Sequence, residues 1–200
     1  MSWNEPVWAL TDEALALTVH AEHDILREQE AHPNTNADRA GGLAGSGAAG
    51  GSTRLRASMR GVQWTRETAV VRLVSAVESY TDEVSNLWLT KKSLPMPAKA
   101  PATWKDRCKE YVATQSIDLT ACSAWDKVQA GVELRNSVAH GLGALTRVQQ
   151  SDEDITAMMA QIDVDVHSGR MHPRPTTVPV LARACRDYIL DLETRLVATL

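Results

Sequence analysis

Residues Ala69–Thr90 read AVVRLVSAVESYTDEVSNLWLT. Val70, Leu73, Val74, Val77, Val84, Leu87 and Trp88 recur at steps of three and four, with Tyr80 on the same stripe. That period marks an amphipathic helix whose apolar face must be buried against other elements. The stripe predicts a helix from about Trp64 to Thr90 that forms the spine of the fold. Working outward, the same period recurs downstream. Thr103 to about Thr114 carries Trp104 and Tyr111. Leu119 to about Gly141 carries Trp125, Val128, Val132, Ala139 and Leu142, with Thr120 or Ser123 as cap. Val180 to about Val197 carries Leu181, Ala184, Cys185, Tyr188, Ile189, Leu192 and Leu196. Upstream, Leu10 to about Ala31 is rich in Ala, Leu and Glu, and Thr11 or Asp12 is placed to cap it. Leu15, Val19, Glu22 and Leu26 keep roughly helical spacing there.

One segment breaks this pattern. Asp163–His167 alternates, turns at Ser168-Gly169 and resumes at Arg170-Met171-His172, the pattern of a small hairpin. The expected fold class is therefore all-α, a four- to five-helix bundle with a minor β-hairpin before the last helix. Leu94-Pro95-Met96-Pro97 and Pro101 read as a rigid extended connector. His32-Pro33-Asn34 stops the first helix, and GGLAGSGAAGGS, Gly41–Ser52, has nothing to bury. The expected organisation is an N-terminal helix plus glycine-rich linker over residues 1–55, the linker at about 41–53, followed by a helical domain over 56–200.

Composition narrows the function classes. The net charge of −4 excludes a bulk polyanion binder, so any nucleic-acid contact must come from a local patch. Apolar content of 44% is enough for one sizeable core. Cys108, Cys122 and Cys185 are odd in number and widely spaced, which points to reduced, buried thiols and not to a disulfide framework or zinc knuckle. The first residues have no basic region typical of a secretory signal, and no window approaches ~18 uncharged apolar residues. A soluble, cytoplasmic protein without membrane contact is expected. His20 and His23 lie three apart beside Glu22 and Asp24, but no second ligand pair follows at comparable spacing. A solvated face is the better reading, as exposed hairpin positions are for His167 and His172. No metal and no cofactor are expected.

Two basic stretches stand out. Arg54, Arg56, Arg60, Arg66 and Arg72 precede or open the long helix, and Lys91, Lys92, Lys99, Lys105, Arg107 and Lys109 surround the proline connector. Arg60, Arg66, Lys105 and Lys109 are candidate RNA contacts. Trp104 and Tyr111 interleave with the second cluster, a pattern that suits single-stranded nucleic acid, although core packing explains both aromatics better.

The chemistry concentrates in ELRNSVAHGLG, Glu133–Gly143. At ~100° per residue, Glu133, Asn136, Ser137 and His140 share one face, while Arg135 falls on or beside the buried stripe. Arg135 and His140 are about 140° apart, so they meet only if the helix end loosens or a second copy packs across a two-fold axis. An arginine on the apolar side needs a partner, either Glu133 or a phosphate. His140, at the expected helix C-terminus, sits where the dipole favours the imidazolium. This set permits RNA cleavage by the substrate's own 2′-hydroxyl, with His140 handling a proton and Arg135 stabilising charge on phosphorus. The acid clusters of a two-metal nuclease are missing from the sequence. An ordinary helix end has the same residues.

RNSVAH, Arg135–His140, resembles the Arg-x-x-x-x-His signature of HEPN domains, and Glu133 and Gly141-Leu142-Gly143 resemble its flanks. The Ala69–Thr90 helix is similar to the first long helix of RiboL-PSP-type HEPN proteins, and the resemblance covers roughly residues 60–200. It implies an all-α bundle that forms homodimers and acts as a metal-independent endoribonuclease in toxin–antitoxin, phage-defence or RNA-processing systems, with an antitoxin or other protein as a further partner. Carried over by position, Arg135 and His140 are catalytic, Asn136 assists, and Glu133 and Ser137 support. The alternative is a non-catalytic helical interaction or regulatory module, with the first helix available to dock a partner groove.

Overall fold

The computed structural model describes residues 4–31, 48–97, 101, 103–141 and 143–200, with side chains described over 9–27 and from residue 61 onward within those ranges. Among these residues the chain is an all-α bundle with one small hairpin. The elements are α1 (Asn4–Ala31), α2 (Ala48–Lys91), α3 (Trp104–Gln115), α4 (Trp125–Gly141), the short α5 (Arg147–Gln150) and α6 (Ile155–Ala160), β1 (Val164–His167), β2 (Arg170–Pro173) and α7 (Thr177–Ala198). No described helix is long and apolar enough to cross a membrane.

The predicted spine is in place. Val70, Leu73, Val74, Val77, Tyr80, Val84 and Trp88 of α2 are buried, and α2 packs against α1, α4 and α7. It starts earlier than expected, so residues 48–53 of the small-residue segment are helical; the rest of that segment lies outside the described residues. α7 fills the centre, with Leu181, Ala182, Tyr188, Ile189 and Leu192 without exposed surface. Gly131 lets α4 approach α7 closely, since a Cβ there would stand 2.6 Å from Leu181 Cδ1.

α1 docks on α2 and α7 through a different face from the one its aliphatic residues suggest. Thr11, Ala14, Thr18, Ala21 and Ile25 are buried, while Val19 and Leu26 are exposed. The steps of three and four belong to small residues, which bring the helix axes together and leave the larger aliphatics outside. Thr11 is not a cap, because the helix begins a turn and more before it. It is an interhelical contact: its hydroxyl donates to Glu193 Oε2 at 3.3 Å and lies 3.4 Å from the Tyr80 hydroxyl. Burial pushes the Tyr80 phenol up to about 12 and raises the Glu193 carboxyl.

The segment expected as one helix from Leu119 is broken. Asp118 caps a 3-10 turn at Leu119–Ala121 by accepting from Thr120 N at 2.9 Å. Ser123 N then donates to Asp191 Oδ2 of α7, and Ala124 takes a left-handed φ of 58° before α4 starts at Trp125. The hairpin matches its sequence pattern, with Asp165 opposite His172 and His167 opposite Arg170. Ser168 and Gly169 both have positive φ, the twist that suits a two-residue turn. β2 also bonds to the chain leaving α4: Met171 N donates to Gly143 O at 2.8 Å, and Leu145 N to Gly169 O at 2.9 Å.

Candidate functional site

A groove of about 640 Å³ runs along α4. α4 lines it with Trp125, Gln129, Val132, Glu133, Arg135, Asn136 and His140. Glu78 of α2, and Thr103, Trp104, Lys105 and Cys108 at the start of α3, close its sides, with Thr120 from the 3-10 turn. Arg135, Asn136 and His140 therefore border one groove within a single chain. The divergence of Arg135 and His140 about the axis is spanned by the width of the groove, because the long arginine reaches sideways toward α2.

Arg135 is held there by an acid the sequence did not point to. Its Nη2 donates to Glu78 Oε1 at 2.5 Å, and its side chain is 24% exposed. Its Nε is enclosed without a hydrogen-bond partner among the described residues. The expected partner, Glu133, is engaged elsewhere: Gln149 Nε2 of α5 donates to Glu133 Oε2 and to Glu133 O, both at 2.8 Å. Gln149 is fixed in turn by a reciprocal cap with Thr146. Glu133 thus ties the end of α4 to the chain that follows it. Glu78 also lies 3.7 Å from Arg107 Nη1 of α3. Arg107 makes a two-pronged contact with Asp82, at 2.7 and 2.8 Å, which holds its guanidinium charged against the desolvation of burial. Glu78, Asp82, Arg107 and Arg135 form one network linking α2, α3 and α4. The acids could have been found as an i, i+4 pair on α2, but nothing in the sequence says which cations they meet.

His140 is exposed on the last turn of α4. Helix α4 ends where Gly143 N closes on Ser137 O, and Gly143 takes a φ of 86° that favours glycine. Ser137 is not in the groove. It is fully buried and its Oγ has no partner among the described residues, because the α4 face that carries it turns into the core. Glu133, Asn136 and His140, expected on one face with Ser137, line the groove without it.

The basic candidates separate. Lys105 lines the groove, and Lys109 is exposed on α3 away from its lining. Arg66 is half-buried against the hairpin, donating to Pro173 O at 3.5 Å, and burial lowers its pKa. It is a packing residue there, not a groove residue. The Arg60 side chain lies outside those described. Arg107, counted with the basic cluster, is locked to Asp82.

The N-terminal part of the groove is aromatic. Trp104 and Trp125 stack with ring centres 5.6 Å apart and planes 15° from parallel, and Tyr188 backs both at 6.1 and 6.3 Å. Trp104 is buried and Trp125 half-buried. Burial raises the pKa of the Cys108 thiol beside them. Away from the groove, His167 and His172 stack at 3.8 Å on the hairpin, where desolvation and His167 lower the His172 pKa. Among the described residues, no group of three or more His, Cys, Asp or Glu side chains is placed to hold a metal ion. No protein-family model, curated protein or solved structure matches the chain.

Proposed function

We propose that the α4 groove is the active site of a metal-independent endoribonuclease that cleaves RNA through attack of the 2′-hydroxyl. The observation that carries this reading is the convergence of Arg135, Asn136 and His140 on one open groove, with Lys105 on its rim. In the reaction the 2′-oxygen bonds to phosphorus and the P–O5′ bond breaks. His140 takes the 2′-hydroxyl proton, and an acid returns a proton to the leaving O5′. Arg135 faces the charge that develops on the phosphoryl oxygens, and Asn136 donates beside it. One groove supplies one imidazole, so a homodimer that brings the histidine of a second copy to the same cleft completes the acid–base pair. Glu78 keeps Arg135 extended until a phosphate competes for it. A toxin, phage-defence or RNA-processing role in the cytoplasm, with an antitoxin as protein partner, fits such an activity.

Purified protein is expected to cut RNA in the presence of EDTA. Arg135→Ala and His140→Ala are each expected to lower cutting by about 10²-fold or more while keeping the wild-type circular dichroism spectrum. Full activity in both variants removes the proposal.

The competing reading is a non-catalytic interaction module. It draws on the mostly apolar cleft between α1 and α2, bordered by Leu10, Ala14, Leu17, Ala76 and Tyr80, in which Leu17 stays 45% exposed. It predicts a stable protein complex that Leu17→Asp disrupts, and no RNA cleavage.

A further inference from the structure

The groove has two chemically different parts along α4. The C-terminal part carries Arg135, Asn136 and His140, and the N-terminal part carries Trp125 in front of Trp104. Ten residues separate Trp125 from Arg135, about 15 Å at the ~1.5 Å rise of a helix. Successive stacked bases are only ~3.4 Å apart along a strand, so that span exceeds the reach of one nucleotide. A chain laid along α4 with a phosphate at Arg135 presents a different nucleotide at Trp125.

The indole is held for such a contact. Its near-parallel stack on Trp104 fixes the ring plane, and Tyr188 supports both rings from the core. The Arg107 guanidinium sits 5.8 Å from the Trp104 ring centre and is anchored by Asp82, which ties the stack to the same network that places Arg135. A preset aromatic surface costs little ordering on binding, and Lys105 next to Trp104 offers a charge to the backbone. Trp125 remains half-buried, with surface left in the groove after Trp104 has taken its share.

We infer that Trp125, backed by Trp104, is a stacking platform for an unpaired base of single-stranded RNA, a few nucleotides from the linkage held at Arg135. The inference rests on the endoribonuclease reading and extends it: the groove takes an oligonucleotide strand, not a mononucleotide, and duplex RNA is excluded because its bases are already stacked. Stacking tolerates every base, so the platform gives affinity and register without a strong sequence preference.

The test uses the full chain and a fluorescein-labelled, fully 2′-O-methylated single strand of about ten nucleotides, within the length one such binding surface spans. This strand lacks the attacking hydroxyl and cannot be cut by the proposed route. Anisotropy is expected to show Trp125→Leu binding roughly tenfold to a hundredfold more weakly than wild type, with Trp125→Phe staying within about threefold because it keeps a π-face. The phenylalanine variant also guards against a packing defect at this position. Wild-type affinity in Trp125→Leu overturns the platform, and if that protein also cuts RNA, the nuclease reading stands alone. Binding that depends on Trp125 in a wild-type protein that cuts no RNA upholds the platform and removes the catalytic reading. A wild-type protein that does not bind the strand overturns the platform, and the cutting of unmodified RNA in EDTA then decides the nuclease reading separately.

Discussion

Among the described residues, two places carry a two-pronged arginine–carboxylate contact, and they do different things. On the hairpin, Arg174 meets Asp165 at 2.7 and 2.8 Å, with 57% and 46% of the two side chains exposed. Between α2 and α3, Arg107 meets Asp82 at the same distances, with 12% and 33% exposed. The bond geometry is the same and the surroundings are not. Water screens the hairpin pair and competes for both ends. The Arg107 pair is tied through Glu78 to Arg135, so it connects three helices and sets the position of a guanidinium in a groove. Burial and connection, not the contact itself, decide whether an ion pair matters to structure or function.

That contrast orders the expected effects. Arg135→Ala and His140→Ala should lower RNA cleavage by about 10² to 10⁴-fold, the range for a lost charge stabiliser or proton-transfer group, in a single-turnover assay. Next, Asp82→Ala should destabilise the fold by about 2 kcal/mol in urea titration. It leaves Arg107 mostly enclosed with only the longer contact to Glu78, and the figure is discounted because Asp82 is a third exposed. The same variant should weaken cleavage without touching the groove, through Glu78 turning from Arg135 toward Arg107. An Asp82→Ala protein as stable and active as wild type breaks the comparison at its stronger side.

Burial sets the pH response as well. The Tyr80 phenol is pushed up to about 12, the Cys122 thiol to about 11 and the Cys185 thiol to about 12, in each case mainly by desolvation. Groups whose folded values are raised contribute stability that is complete below their unfolded values and lost as the pH climbs through the folded ones. The urea midpoint should therefore fall progressively from about pH 9 to pH 12, with α1 released as Tyr80 ionises beside Thr11 and Glu193. A flat midpoint over that window contradicts the burial of these three groups. The smallest effect belongs to the hairpin. Arg174→Ala should leave the thermal midpoint and cleavage unchanged within error, because about half of each side chain of the Arg174–Asp165 pair is open to water that screens the contact. A measurable loss there would show that exposure alone does not rank the two pairs.

How much of this the sequence discloses depends on whether the controlling force is local. The α2 stripe and the hairpin register are local: Val70 to Trp88 repeats at helical steps, and Ser168-Gly169 sits where the chain must reverse. The start of α4 is not legible, because a capped 3-10 turn and a left-handed Ala124 interrupt a continuous apolar pattern. The docking face of α1 is hidden for another reason. Its hydrophobic period points to Leu15, Val19 and Leu26, while close packing selects the small residues between them. In the candidate site, Arg135, Asn136 and His140 are legible as a motif. The partner of Arg135 is not, because Glu78 lies fifty-seven positions away and reaches it only through the packing of α2 on α4. Ser137 misleads for the same reason: a small polar residue between groove and core takes its side from tertiary contacts.

The most direct measurement is the chemistry of the cut ends. Wild-type protein is incubated in EDTA with a single-stranded RNA and with its copy carrying one 2′-deoxy position at a mapped cut site, and the products are weighed by mass spectrometry. The account predicts fragments ending in 2′,3′-cyclic phosphate and 5′-hydroxyl, no cut at the deoxy position, and at least about 10²-fold less of every fragment in Arg135→Ala. Intact RNA, fragments with 5′-phosphate ends, or cutting at the deoxy position would contradict it.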